Sequence, residues 1–232
     1  MPGTFNGTTL TISATPVDGA LIPDKSATNV AGISIVGSDM YCVKTTGLKT
    51  TLLKTTDYMA TKATAVKKDL NWFALGLTKI GNYLYMLAED HKGYGGSTTI
   101  VKLDTKGNQL GTYSINEICP KGALGITAAD GTNEKFIIMH YADKSNAGTL
   151  AFSVVDWKAA EAASTFTVTN SGFGYTTRLQ DIYYHTSFGL FILTNNTFST
   201  LQNRILVVDY HLTDLSLIHI SEPTRQAEIS YA

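Results

Sequence analysis

The chain has 232 residues, 44% of them apolar and only 16% charged, with 18 basic residues against 19 acidic and a net charge of −1. That length can bury a sizeable core, and two cysteines are too few for a disulfide-stapled miniature. The balanced charge argues against a nucleic-acid binder, which gathers a basic excess on one face, and against a disordered charged tail.

In chain order, Met1–Leu10 lacks the basic region and apolar run of a signal peptide. No apolar run approaches the roughly 20 residues of a membrane-spanning helix, so no transmembrane segment is expected. Thr8–Ser13 reads as a single outer or closing strand. From residue 30 onward, β-branched and aromatic residues come in short runs bounded by Gly, Asn and Asp, the pattern of strands. Thr61–Asn71 and Lys158–Ala163 are the only helix-like runs. Cys42 falls in an apolar stretch and Cys119 in a turn, which predicts one buried thiol and one loop thiol.

The runs repeat. Met40-Tyr-Cys-Val43, Tyr83-Leu-Tyr-Met-Leu87, Phe136-Ile-Ile-Met139 and Leu190-Phe-Ile-Leu193 are each closed by a polar residue: Thr46, Asp90, Asp143 and Asn196, spaced by 44, 53 and 53. A second series comes after them in Thr50–Lys54, Thr98–Asp104, Leu150–Asp156 and Ile205–Asp209. A small-residue start precedes each pair: Ala31-Gly-Ile-Ser34, Leu75-Gly-Leu-Thr78, Leu124-Gly-Ile-Thr127 and, more loosely, Leu179-Gln-Asp-Ile182. A fourth run comes after the second and third pairs, as Leu110–Ile115 and Ser164–Val168. The final Asp of the second series (Asp104, Asp156, Asp209) is expected to cap a tight turn.

Four short antiparallel strands per unit, repeated four times, resemble the blades of bacterial β-propeller repeat proteins over nearly all of residues 30–214. The resemblance implies an all-β fold with blades at about 30–73, 74–122, 123–177 and 178–214, and residues 1–29 as a partial blade. Alternating residues such as Tyr83, Tyr85 and Leu87 should pack between blades. An intact ring of six to eight blades is expected from it, so these four should form an open arc; a closed four-bladed ring is the alternative.

Leu215–Ala232 resembles something else, the conceptual translation of a transposase-type sequencing adapter. Leu215 through Arg225 match its codons, Gln226–Glu228 fill the length of its variable index, and Ile229–Ala232 match again in frame. The natural chain is therefore expected to continue differently after Asp214, leaving the fourth blade without its last strand.

In a propeller, the loops joining second to third strands and those entering each first strand share one face around the central channel. Long loops there carry aromatics beside amides and carboxylates, which suits a sugar or peptide. The candidate ligand-binding residues are Trp72, Glu89, Asp90, His91, Tyr94, Tyr141, Asp143, Tyr175 and Asn196. His91, His140 and His185 are nearly evenly spaced, yet the repeat alignment puts His140 inside a strand and His185 toward the opposite face, which argues against a shared zinc. No phosphate loop or nucleophile elbow is found, and no cofactor is expected.

The function expected from the resemblance is a non-catalytic module binding a glycan, peptide or protein. The low-charge, Thr-, Asn- and Gly-rich composition suits an extracellular or cell-envelope setting. The alternatives are a propeller enzyme of lactonase or glycan-cleaving type, with carboxylates or Ca²⁺ at the channel mouth, and a purely structural array.

Overall fold

The computed structural model describes residues 3–5, 10–12, 29–56, 63–90, 97–130, 134–141, 149–157, 162–169, 178–187, 189–195, 204–208 and 227–229. All regular elements among them are strands, in five antiparallel sheets. A short hairpin, β1 (Gly3–Phe5) and β2 (Leu10–Ile12), precedes four four-stranded sheets. The first holds β3 (Asn29–Val36), β4 (Asp39–Thr46), β5 (Lys49–Thr55) and β6 (Thr64–Leu70). The second holds β7 (Phe73–Ile80), β8 (Tyr83–Glu89), β9 (Thr98–Leu103) and β10 (Gln109–Ser114). The third holds β11 (Ala123–Asp130), β12 (Lys135–Tyr141), β13 (Thr149–Asp156) and β14 (Ala162–Thr169). The fourth holds β15 (Arg178–His185), β16 (Gly189–Asn195), β17 (Arg204–Val208) and β18 (Ala227–Ile229).

Within each sheet the strands lie in chain order, so each sheet is a meander whose first strand is innermost. The inner strands β3, β7, β11 and β15 pack each against the next, while β15 meets β3 only slightly. Among the described residues the chain is thus an all-β propeller whose four blades form an arc without a closed sheet.

Among the described residues, two cores lie in the seams. Leu84, Met86 and Ala88 of β8 pack with Tyr41, Val43 and Leu52 of the first sheet. Tyr85 and Leu87 point the other way, onto Ile126, Phe136, Ile138 and Val155 of the third. This is strand alternation with both faces buried. Each fully buried side chain contributes about 1.5–3 kcal/mol, so seams rather than single sheets supply stability.

Each inner strand carries a register shift near its small-residue start, between Ala31/Ile33, Ala74/Gly76, Ala123/Gly125 and Leu179/Asp181. Neighbouring inner strands come closest here. A Cβ on Gly32 would lie 2.1 Å from the Leu77 nitrogen, one on Gly76 3.2 Å from Ile126 Cγ2, and one on Gly125 3.2 Å from Asp181 Cα. Two residues further on, hydroxyls tie the seams. Ser34 Oγ donates to Leu77 O at 3.3 Å. Thr78 Oγ1 accepts from Ala128 N at 3.0 Å, and Thr127 Oγ1 from Tyr184 N at 3.0 Å.

Four expectations are corrected. Residues 64–70 are strand β6, not helix: Thr64 and Val66 suit an extended chain, and β5 supplies the backbone partners. Ala162 and Ala163, read as part of a helix-like run, belong to β14. Tyr83 is not packed between blades; it opens β8 beside the turn and is exposed, with the Lys102 ammonium 4.5 Å above its ring. The fourth sheet also has an outer strand, because residues 227–229 pair with β17. Edge pairing of three residues uses backbone groups, which any extended segment offers.

The turn at Asp104 has the expected pattern. Asp104 Oδ1 accepts from Lys106 N and Asn108 N at 2.9 and 2.8 Å, and Gly107 takes φ +78°. Burial works against its charge, but these bonds prevail and hold the carboxyl below its usual range.

Candidate functional site

The meander direction puts the ends of β4, β8 and β12, and the starts of β7 and β11, at one end of the arc. Trp72, Glu89, Asp90 and Tyr141 all lie there. His91, Tyr94, Asp143, Tyr175 and Asn196 lie outside the described residues.

Trp72 and Asp90 flank the Phe73–Glu89 pair of β7 and β8, and Gly122 lies beside both Glu89 and Tyr141. Trp72 packs against the seam core between the first two sheets, and its indole N–H donates to Gln109 Oε1 at 3.2 Å. Its carbonyl accepts from Thr50 Oγ1 at 2.7 Å. Thr50 and Thr45, linked at 2.9 Å, together receive the Ala74 N–H. This hydroxyl pair caps the start of β7.

Glu89 and Thr98 occupy the matching cross-strand pair in the second sheet. Glu89 is buried, and its Oε1 lies 3.6 Å from where a Cβ of Gly122 would stand. A carboxylate thus stands where the first sheet has Thr45, beside a glycine at φ +96° just before β11. Thr98 Oγ1 is buried with no hydrogen-bond partner among the described residues, unlike Thr50. Asp90 is half-buried, and its N–H donates to Ser97 O at 3.2 Å. Tyr141 is half-buried at the end of β12, and its N–H reaches Gly122 O at 3.3 Å. Trp72, Asp90 and Tyr141 are thus half-buried, whereas Glu89 is buried in a seam.

His140, beside Tyr141, is buried. Its Nδ1 donates to Tyr141 O at 3.2 Å, so Nε2 accepts from Ser153 Oγ at 2.9 Å. Burial lowers its pKa, with the bond to Tyr141 O opposing, and the ring is a neutral strut. His140 pairs with Ala123 and His185 with Gly189, at opposite ends of their sheets, so these two cannot share an ion. Among the described residues no three His, Cys, Asp or Glu side chains stand together as metal ligands.

At the opposite end, Glu134 Oε1 accepts from both Tyr85 Oη and Lys102 Nζ, bridging the second and third sheets. Burial first, then the bond to Glu134, raises the Tyr85 pKa, so the phenol stays protonated. This is a structural tie.

Sequence reasoning missed one group, Asp181. It stands on β15 after the register shift, where Gly76 and Gly125 stand in the second and third sheets, paired with Leu193 as they pair with Leu87 and Met139. Its Oδ1 accepts the Ile182 N–H at 2.9 Å. Burial pushes the carboxyl up to about 7 against the pull of that bond. The signal was present in the column Gly32, Gly76, Gly125, Asp181, where only the last departs from glycine.

No protein-family model matches the chain, and no curated protein matches it. Solved structures do. The chain is similar to the Bacteroides ovatus xyloglucan PUL GH43B, at 14% identity and a TM-score of 0.56, over 76% of this chain and 37% of that one. It is similar to Myxococcus xanthus glutaminyl cyclase, at 15% identity and a TM-score of 0.50, over 78% and 65% of the two chains. It also matches the β-propeller domain of Myceliophteria thermophila Cps50 (Swd1), at 11% identity and a TM-score of 0.44, over 86% and 56%. The chain spans from about a third to two thirds of the length of these proteins. At such identities the likeness concerns the fold alone: an all-β propeller.

Proposed function

We propose that the chain is a non-catalytic propeller module that binds a glycan, peptide or protein partner on its loop face, in an extracellular or cell-envelope setting. One observation carries the reading. The acidic candidate Glu89 is buried in the seam beside Gly122, while Asp90, just past β8, and Tyr141, at the end of β12, are half-buried. An aromatic ring and a carboxylate there suit recognition. The test is binding of the purified chain to glycan and peptide arrays, repeated with Tyr141→Ala and Asp90→Ala. The expected result is capture of one ligand class, weakened by both substitutions and without turnover. Product formation from the captured ligand would overturn it.

A second reading, a propeller enzyme of lactonase or glycan-cleaving type, is favoured by Asp181, whose proton is held to about neutral pH as a general acid or base requires. Two of the similar solved structures are named for a GH43 protein and a glutaminyl cyclase. In this reading Asp181→Asn abolishes turnover, and Ca²⁺ at the channel mouth is part of the machinery.

A further inference from the structure

The two tryptophans of the chain are packed differently. Trp157 is a seam residue. The rings of Tyr85 and Tyr113 stand edge-on to it at 5.6 and 6.0 Å, and its Cζ2 lies 3.4 Å from where a Cβ of Gly111 would stand. Trp72 stands in the short bend between β6 and β7, half-buried, and no aromatic ring pairs with it among the described residues.

Its ring is nonetheless held in place. The Trp72 backbone N–H donates to Leu70 O at 2.8 Å, and its carbonyl accepts from Thr50 Oγ1 at 2.7 Å. The indole N–H donates to Gln109 Oε1 at 3.2 Å, and the side chain packs against the first seam core. A tryptophan fixed in this way has already lost the rotamer freedom that a ligand would otherwise have to take from it.

The groups around it are polar. Gln109 is exposed and spends its carbonyl oxygen on the indole, which leaves its amide N–H groups to donate. Asp90 flanks the same Phe73–Glu89 pair as Trp72 and supplies a carboxylate. Lys67 is exposed near Gln109: a Cβ on Gly107 would lie 2.5 Å from Lys67 Cβ.

We propose that the ligand of the loop end is a neutral glycan, with one sugar ring lying on the Trp72 indole and its hydroxyls paired with the Gln109 amide and Asp90. This rests on the loop-face reading and narrows its ligand to one class. A sugar ring divides the same way as the site, with an apolar C–H face for the indole and hydroxyls that both donate and accept. Asp90 and Lys67 have opposite charges, so an ionic ligand of either sign meets a like charge beside its partner. A proline-rich peptide docks in a groove lined by aromatic rings, whereas Trp72 has no such companion among the described residues.

The test is ¹⁹F NMR of the whole chain carrying 5-fluorotryptophan. Its two tryptophans give two signals, and Trp72→Phe removes one and so assigns it. The probes are cellohexaose, xylohexaose, maltohexaose and mannohexaose. The expected result is that one of them moves the Trp72 signal saturably and leaves the Trp157 signal in place. Gln109→Ala, a change at an exposed side chain, should weaken this binding about tenfold. Glu117→Gln, an exposed charge elsewhere, should not change it. A Trp72 signal that no sugar moves, equal movement of both signals, or unchanged affinity in Gln109→Ala would each overturn the proposal. Capture of a peptide but no glycan on the arrays overturns it and leaves the loop-face reading standing. Turnover of a sugar that moves the Trp72 signal does the reverse.

Discussion

The Cα of Asp181 lies 3.2 Å from the point where a Cβ on Gly125 would stand, so the third and fourth inner strands meet as backbone against backbone. Each glycine of this column allows one such approach. Gly32 is the extreme case, with φ +71° and the Leu77 nitrogen 2.1 Å from its absent Cβ. Gly37 has φ +62° but open space around it. Gly37→Ala should therefore cost only the left-handed conformation, about 1 kcal/mol. Gly32→Ala should cost that plus a backbone clash, about 3 kcal/mol or more. Urea denaturation midpoints of the two variants check the difference.

Thr50→Val keeps the shape of a fully buried side chain and removes its hydroxyl. The Trp72 carbonyl then loses its 2.7 Å donor and Ala74 N–H one of its two acceptors. An unfolding free energy lower by about 1–3 kcal/mol is expected. Thr46→Val, on an exposed residue next to the same seam, should change stability by less than about 0.5 kcal/mol.

Asp181 makes stability depend on pH. With its carboxyl raised to about 7, the folded chain holds this proton more tightly than the unfolded chain, whose carboxyl titrates near 4. The contribution favours folding below about pH 4 and is lost as pH rises through about 7. Asp181→Asn cannot ionise. Its stability advantage over the parent chain should therefore grow between pH 4 and 7 and level off above, as read by chemical denaturation at each pH.

Both cysteines are free and buried, and burial pushes their thiols up to about 11 for Cys42 and about 12 for Cys119. Thiolates are the reactive form, so neither should react with a thiol reagent in the native chain at pH 8. Both should react in guanidinium. Fast labelling of the native chain would contradict the seam core around Cys119.

The strand pattern was legible because apolar runs, polar closures and Gly-Ile or Gly-Leu starts recur in fixed order, and the structure aligns them as strands of successive sheets. Strand β6 was not legible: Lys67, Lys68 and Asp69 face solvent at the outer edge, so its pairing with β5 rather than its composition makes it a strand. Cys119, read as a loop thiol, is buried because the turns from Ile115 to Gly122 fold it onto the seam core. The role of Glu89 also depends on a neighbour, since only the next sheet shows that its carboxylate stands beside Gly122. Asp181 was hidden by the loosest of the four alignments, although the departure from glycine marks it.

The arc itself rests on one asymmetry. Ala128 and Tyr184 donate their N–H groups to hydroxyls of the preceding sheet, whereas Ile35, at the same place in β3, is exposed. Amide hydrogen exchange by NMR measures this directly. Slow exchange at Ala128 and Tyr184 with fast exchange at Ile35 is the expected result. Protection of Ile35 equal to that of the other two would mean that the first sheet is covered and would contradict the open arc.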